Sequence, residues 1–294
     1  MPTIDILGVP HVYDLTEPTS STDVLVFVHG WLLSRCYWQP LIERLSGDYQ
    51  CLAYDLRGFG GSQLVSTPES AHSACQHYSL SAYAADLVLM LKQLGIRQAW
   101  LIGHSLGGSI ALWAADQSPE MVKGVICLNA GGGIYLKEEF ERFRAAGQQL
   151  VRWRPRWLPY VPLLDLLFTR VSVARAIARR WGRQRLIDFV TAHPEAALGA
   201  LLDSTTEVEV HRLPQIVVRL QQPVYFIAGA NDPIMEPRYV RHLASFHSLF
   251  QEHGANVVEI PNCGHMAMVE QPDLVTEKIR VILAGQGCDE AIAE

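Results

Sequence analysis

Six short, almost unbroken apolar runs recur along the chain, and each is followed, directly or after a loop, by a segment of helical periodicity. They are Val24–Val28, Gln50–Tyr54, Ala99–Ile102, Val122–Leu128, Pro223–Ala228 and Asn256–Ile260. A strand with one wet face alternates apolar and polar side chains, whereas a solid run belongs to a strand covered on both faces. Parallel strands cannot be joined by tight turns and need a crossover, usually a helix. The chain is therefore expected to be α/β, with a mostly parallel, doubly wound sheet. The opening is the exception: residues 3–15 alternate and read as a hairpin with its turn near Gly8-Val9-Pro10. Residues 36–46 read as a helix, and Ser79 and Ser81 offer N-caps for another that runs through Leu94 and stops at Gly95.

The third apolar run ends abruptly. At Gly103 it gives way to Gly103-His104-Ser105-Leu106-Gly107, and a helix to about Gln117 follows with Leu106, Ile110 and Trp113 on one face. Ser105 thus sits on a turn between strand and helix, with a glycine two positions away on either side. A serine held in a sharp, strained turn brings those neighbours against its own backbone, so side chains at 103 and 107 would collide. The helix would point its positive dipole end at the serine. Taken alone, the same five residues also suit a glycine-rich turn with no chemistry.

Composition excludes several other classes. The net charge is −6, which argues against nucleic acid as a partner. The six cysteines, at 36, 51, 75, 127, 263 and 288, form no metal-type pairs and read as reduced thiols; the 11 histidines are equally dispersed, so no metal and no cofactor is expected. The opening residues carry no secretory signal pattern, and no stretch approaches the roughly 18–20 uncharged apolar residues of a spanning helix. A cytoplasmic location is the expectation. The stretch from Gly285 on reads as a frayed end.

Between about Gly133 and Arg212 the alternation lapses. No run reads as a strand, and short helices are punctuated by Pro155, Pro159, Pro162, Gly182 and Pro194. The expected division is a core of residues 1–132 and 213–294 with a helical cap, 133–212, inserted over the carboxyl ends of the strands. The cap is lopsided in charge: residues 142–185 hold 11 arginines, no lysine and one acid, Asp165, interleaved with Phe143, Trp153, Trp157, Tyr160, Leu163, Leu164, Leu166, Leu167, Phe168 and Trp181. Such a face is either the solvated side of a small helical unit or a surface that rests on anionic membrane and admits an amphiphilic substrate.

A serine hydroxyl needs a base to act as a nucleophile near neutral pH. His265 follows the last predicted strand directly, in Ile260-Pro261-Asn262-Cys263-Gly264-His265. An imidazole in that role needs a carboxylate to fix its tautomer and steady its cation, and Asp232 follows the strand that ends at Ala228. His104, adjacent to Ser105, is expected to pack instead.

The motifs His29-Gly30-Trp31, Asp55-Leu56-Arg57-Gly58-Phe59-Gly60-Gly61-Ser62, Gly103-His104-Ser105-Leu106-Gly107-Gly108, Gly229-Ala230-Asn231-Asp232 and Gly264-His265 together resemble those of the α/β-hydrolase superfamily, capped type. The likeness covers roughly residues 20–130 and 215–285. It implies Ser105 as nucleophile, Asp232 as acid, His265 as base, and an oxyanion hole from the backbone N–H groups of Trp31 and Leu106. It also implies that Asp55 and Arg57 tie loops near the site. Some members carry the acid after the strand that here ends at Leu128, but that position is Asn129, which favours Asp232; Asp203, within the cap, is a weaker substitute.

The reaction this implies is hydrolysis of a carboxylic ester through an acyl-enzyme, on a small-molecule ester with a hydrophobic acyl or alcohol group. Cofactor-free haloperoxidase or perhydrolase chemistry and carbon–carbon bond hydrolysis use the same triad. A receptor or regulatory partner built on the same fold is the non-enzymatic alternative.

Overall fold

The computed structural model describes residues 1–63, 78–131, 137–253 and 256–285. The strands are β1 (Thr3–Ile6), β2 (Val9–Leu15), β3 (Val24–Val28), β4 (Gln50–Tyr54), β5 (Ala99–His104), β6 (Val122–Leu128), β7 (Val224–Gly229) and β8 (Val257–Ile260). They form one eight-stranded sheet in the order β1-β2-β4-β3-β5-β6-β7-β8. Strands β1 and β2 are antiparallel, as is the pair β2 and β4; all remaining pairs are parallel. The doubly wound α/β arrangement expected from the apolar runs is the one observed.

Helices of the core are α1 (Gln39–Leu45), α2 (Leu80–Gln93) and α3 (Leu106–Gln117). Between β6 and β7 come α4 (Lys137–Arg152), α5 (Leu164–Arg170), α6 (Arg179–Thr191), α7 (Pro194–Ser204) and α8 (Glu207–Arg219), with no strand among the described residues there. The chain closes with α9 (Pro237–Ala244), α10 (Ser248–His253), α11 (Ala267–Glu270) and α12 (Pro272–Leu283).

The period-two alternation of each strand sends side chains into two separate apolar layers. On one face Val26, Val28, Leu101 and Val125 pack with residues of α2, α3 and α8, among them Leu87, Ile110 and Leu213. On the other, Leu25, Phe27, Ile102 and Ile126 meet Leu41 of α1 and Ile279 of α12. Full burial of such a side chain contributes about 1.5–3 kcal/mol, so the central strands are stabilised from both sides.

Local expectations hold with three shifts. The opening hairpin turns at Leu7-Gly8, one residue early, because the pair adopts positive φ (53° and 82°) and Gly8 N–H is held by Asp5 Oδ1 at 2.9 Å. The helix expected at 36–46 begins as a 3-10 turn, Arg35–Trp38, before Pro40 starts α1. Gly182 does not interrupt a helix but lies inside α6, where a Cβ would come 2.5 Å from the Asp165 carbonyl of α5. Ser79 caps α2, accepting from Ala82 N–H, whereas the Ser81 hydroxyl takes Gln117 instead.

Cys36, Cys51, Cys127 and Cys263 are free thiols; Cys75, Cys288 and the end expected to fray, from residue 286, lie outside the described residues. Among the described residues no helix is long and apolar enough to cross a membrane.

Candidate active site

Five parallel strands deliver one residue each, just past their carboxyl ends, to a common point. Trp31 follows β3, Ser105 follows β5, Asn129 follows β6, Asp232 follows β7 and His265 follows β8.

Ser105 holds φ 51° and ψ −118°, a conformation that costs a non-glycine residue about 1–3 kcal/mol. Its surroundings impose it. A Cβ on Gly103 would stand 2.3 Å from the Gly107 carbonyl oxygen, and one on Gly107 would stand 2.1 Å from that of Val28. Glycine at both places lets the turn close, with Ser105 N–H bonded to Leu128 O at 3.0 Å and Gly108 N–H to Ser105 O at 2.9 Å. Helix α3 starts at the next residue, so its positive end faces the serine.

His265 and Asp232 are both buried, with Nδ1 of the imidazole 2.8 Å from Oδ2 of the carboxylate. A carboxylate accepts only, so Nδ1 carries the proton and Nε2 is left as the basic nitrogen. Asp232 Oδ1 accepts the N–H groups of Ile234 and Met235, at 2.8 and 2.9 Å. Burial by itself favours the neutral acid, but the charge and hydrogen bond of His265, with those two N–H groups, outweigh it and leave the Asp232 pKa below the usual carboxylate value.

Four further residues form the support. Asn129, buried and at φ 49°, donates to Asp232 Oδ2 at 2.8 Å and to Gly264 O at 3.0 Å. His104 packs as expected, yet it also donates from Nε2 to the His265 carbonyl at 2.7 Å, its ring 4.8 Å from that of His265. Burial, then the neighbouring imidazole, push the His104 pKa down to about 3, so it stays neutral. Ser172, in the stretch between α5 and α6, accepts the His265 backbone N–H at 2.8 Å. Glu270 is buried and spans the histidine: it accepts Gly264 N–H at 3.0 Å and Met266 N–H at 3.0 Å, and it reaches across to Ala174 N–H at 2.8 Å. Sequence reading singled out neither Glu270 nor a supporting role for Asn129. The only signal for Asn129 was its place after β6; for Glu270 there was none.

Ser105, His265, Trp31 and Leu106 line one cavity of about 440 Å³ between the sheet and the helices α4–α7. The backbone N–H groups of Trp31 and Leu106 have no protein acceptor among the described residues. Trp31 is fixed by its indole N–H, which donates to Ala197 O of α7 at 2.8 Å. The walls are largely apolar, with Leu33, Leu150, Phe168, Phe189, Leu201 and Met235. Among the described residues of the lining, Arg185 is the one formally charged side chain. It donates from Nη1 to Ser172 Oγ and to Phe168 O, while its buried Nε has no acceptor among the described residues. Asp55 and Arg57 stand outside the cavity: Asp55 holds the N–H groups of Arg35 and Gly61 at 2.7 and 2.8 Å, and Arg57 lies 3.2 Å from Asp86.

A family model described as the alpha/beta hydrolase fold matches residues 23–272. Among curated relatives, the 2-succinyl-6-hydroxy-2,4-cyclohexadiene-1-carboxylate synthase of Pectobacterium atrosepticum is 26% identical over 265 residues, which are 88% of this chain and 93% of that protein. The same enzyme of Salmonella typhimurium is 27% identical over 267 residues, 89% and 94% of the two chains. Among solved structures, a thermophilic esterase from Thermogutta terrifontis superposes with a TM-score of 0.77 at 22% identity, covering 97% of this chain and 99% of its own. A bromoperoxidase from Bacillus anthracis gives 0.75 at 17%, covering 94% and 96%. At these identities the superpositions speak to the fold.

Proposed function

Because the chain belongs to the α/β-hydrolase fold family, we propose that it is a serine hydrolase that cleaves carboxylic esters with a hydrophobic acyl or alcohol group. The observation that carries this reading is a strained Ser105 on the floor of an apolar cavity whose lining also holds His265, itself hydrogen-bonded to Asp232.

In this mechanism Ser105 Oγ attacks the ester carbonyl carbon while His265 Nε2 takes its proton. Asp232 keeps the imidazole in the Nδ1–H tautomer and stabilises the cation that forms. The tetrahedral oxyanion accepts hydrogen bonds from the N–H groups of Trp31 and Leu106, donors worth about 3–4 kcal/mol each when aimed at developing charge. The intermediate collapses, His265 returns the proton to the departing alcohol, and an acyl ester remains on Ser105. Water, deprotonated by His265, then releases the acid. The peracid-forming alternative shares the acyl-enzyme and differs in whether peroxide or water attacks it.

The test is hydrolysis of p-nitrophenyl esters from acetate to palmitate by wild type and Ser105→Ala. Turnover in the wild type that falls by roughly 10⁶-fold in the variant supports the serine mechanism. Repeating the assay with hydrogen peroxide measures the peracid share. A folded wild type that turns over no ester overturns the reading and leaves carbon–carbon hydrolysis or a receptor role.

Arg185 favours a second reading of the substrate. A half-buried cation with a buried, unspent donor suits a carboxylate, and the curated relatives are named for a carboxylate product. In that reading the same serine and histidine act on an acid-bearing molecule. Ethyl hydrogen glutarate against ethyl valerate separates the two. Arg185→Gln should cost the anionic ester about tenfold in kcat/KM and spare the neutral one.

A further inference from the structure

Large apolar side chains stand exposed at fourteen described positions, and eight of these fall between Leu150 and Val171. Trp153 is 77% exposed and Tyr160 80%, with Trp157, Leu163, Leu167 and Val171 more than half exposed. The helical insertion does not use them as its own core: Trp181, Leu186 and Phe189 are buried in that role. So dense an apolar patch on an otherwise ordinary surface marks a place where something docks.

Charge identifies the partner. Arg152, Arg156, Arg170, Arg175, Arg180 and Arg183, within or just beyond the same stretch of chain, are exposed, and none has a carboxylate within 4.0 Å of its guanidinium among the described residues. Asp165, the sole acid between residues 142 and 185, is bound to Arg179. A second copy of this chain on a two-fold axis would set these arginines against themselves. Nucleic acid would take the arginines and the aromatic rings but leaves Leu163, Leu166, Leu167 and Val171 without a use. An anionic bilayer takes all of them: guanidinium groups on phosphates, Trp and Tyr at headgroup level, aliphatic side chains at the acyl boundary.

We propose that the segment from Leu150 to Val171, with these arginines, seats the protein on the surface of an anionic phospholipid bilayer. The patch and the cavity share walls. Leu150 is both 40% exposed and part of the cavity lining, and Phe168 of α5 lines the cavity beside exposed Leu167. Seated this way, the protein places Leu150, a wall of the cavity, at the acyl boundary. The docking stands apart from the ester reading; delivery of an amphiphilic ester through it rests on that reading.

The experiment is co-sedimentation of the full chain with vesicles of phosphatidylcholine alone and of phosphatidylcholine mixed equally with phosphatidylglycerol, at low and high salt. The variants are Trp153→Ser with Trp157→Ser, and Arg152→Gln with Arg156→Gln, none of which lines the cavity. The wild type should pellet with the anionic vesicles only and be released by salt. Loss of two arginines near the surface should weaken binding at low salt about 30-fold, and loss of the two tryptophans should weaken it at low salt as well. Both variants should keep the wild-type melting temperature and the wild-type rate on p-nitrophenyl acetate, so failure of the ester reading shows separately as a wild type without turnover. A folded wild type that stays in the supernatant with anionic vesicles overturns the proposal. So does vesicle binding that neither double variant changes. A dimer in light scattering that both variants dissolve, with no vesicle binding, assigns the patch to a second copy and overturns it too.

Discussion

Asn129 donates its side-chain N–H to Asp232 Oδ2 at 2.8 Å, the same oxygen that takes the hydrogen bond of His265. The carboxylate is thereby held at four points, two on each oxygen, and cannot rotate away from the imidazole. Position 129 follows β6, where an acid would have stood in an alternative arrangement of the triad; here the residue supports the acid from the neighbouring strand.

Asn129→Leu keeps the number and branching of the side-chain heavy atoms and removes the donor. With Asp232 less firmly oriented, kcat should fall about tenfold, the worth of one hydrogen bond to a charged group, while KM changes little. Separate kcat and KM values on a short p-nitrophenyl ester check this; equal loss in both would point to a reshaped cavity instead.

Glu270→Gln places an amide N–H₂ where one of two accepting oxygens now meets the N–H groups of Gly264, Met266 and Ala174. Leaving buried donors without an acceptor costs about 1–3 kcal/mol each. The variant should melt several degrees lower and lose activity together with stability, since the same contacts hold the loop of His265. Thermal unfolding followed beside initial rates measures both.

Asp188 is buried in α6, and burial pushes its pKa up to about 7, against the opposing pull of hydrogen bonds from Ser34 and Gln184. The sign follows from linkage. A carboxyl whose folded pKa lies above its unfolded value of about 3.8 contributes stability that is complete below 3.8 and is lost as pH rises through about 7. Asp188→Asn removes that titration. Its stability relative to wild type should therefore increase between pH 4 and pH 7, by a few kcal/mol. Other groups, such as His104, titrate in both proteins and cancel in the difference. Denaturant unfolding of the two proteins across this range gives the result directly.

Gly107→Ala should yield little folded protein, because its Cβ would sit 2.1 Å from Val28 O and 2.6 Å from His29 O, and backbone cannot swing aside. The cost should exceed about 3 kcal/mol. Gly47, with nothing within 4 Å of a built Cβ, is the control: Gly47→Ala should stay within about 0.5 kcal/mol of wild type. Soluble yield and melting temperature distinguish them.

What could be read from the sequence was local or repetitive. The parallel strands show as apolar runs because both of their faces are buried, and the Ser105 turn shows because its sterics demand glycine two residues away on each side. Asp232 and His265 are found by position, each just beyond a strand. Glu270 could not be found this way. Its partner Ala174 is 96 residues distant, and nothing about a glutamate at the end of a short helix announces what it will hold. Gly182 misled for a related reason: its use is the close approach of α5, a tertiary fact, whereas the sequence offers only its reluctance to be helical.

The loop of His265 has a consequence for how proteins of this shape could diversify. Its backbone N–H ends on Ser172 O, and the carboxylate beneath it, Glu270, takes the N–H groups of Ala174 and Arg175. Residues 172–175 thus move in register with the base, although chain order puts them in the middle of the helical insertion. The insertion is therefore not one cassette. A graft that replaces it whole removes part of the scaffold of the histidine, while grafts confined to residues 137–171 or 176–204 leave that scaffold in place. Recombination between relatives has to inherit residues 172–175 with the core, and α5 together with α6, since the Asp165–Arg179 pair and the close approach at Gly182 join the segments on either side of that tether.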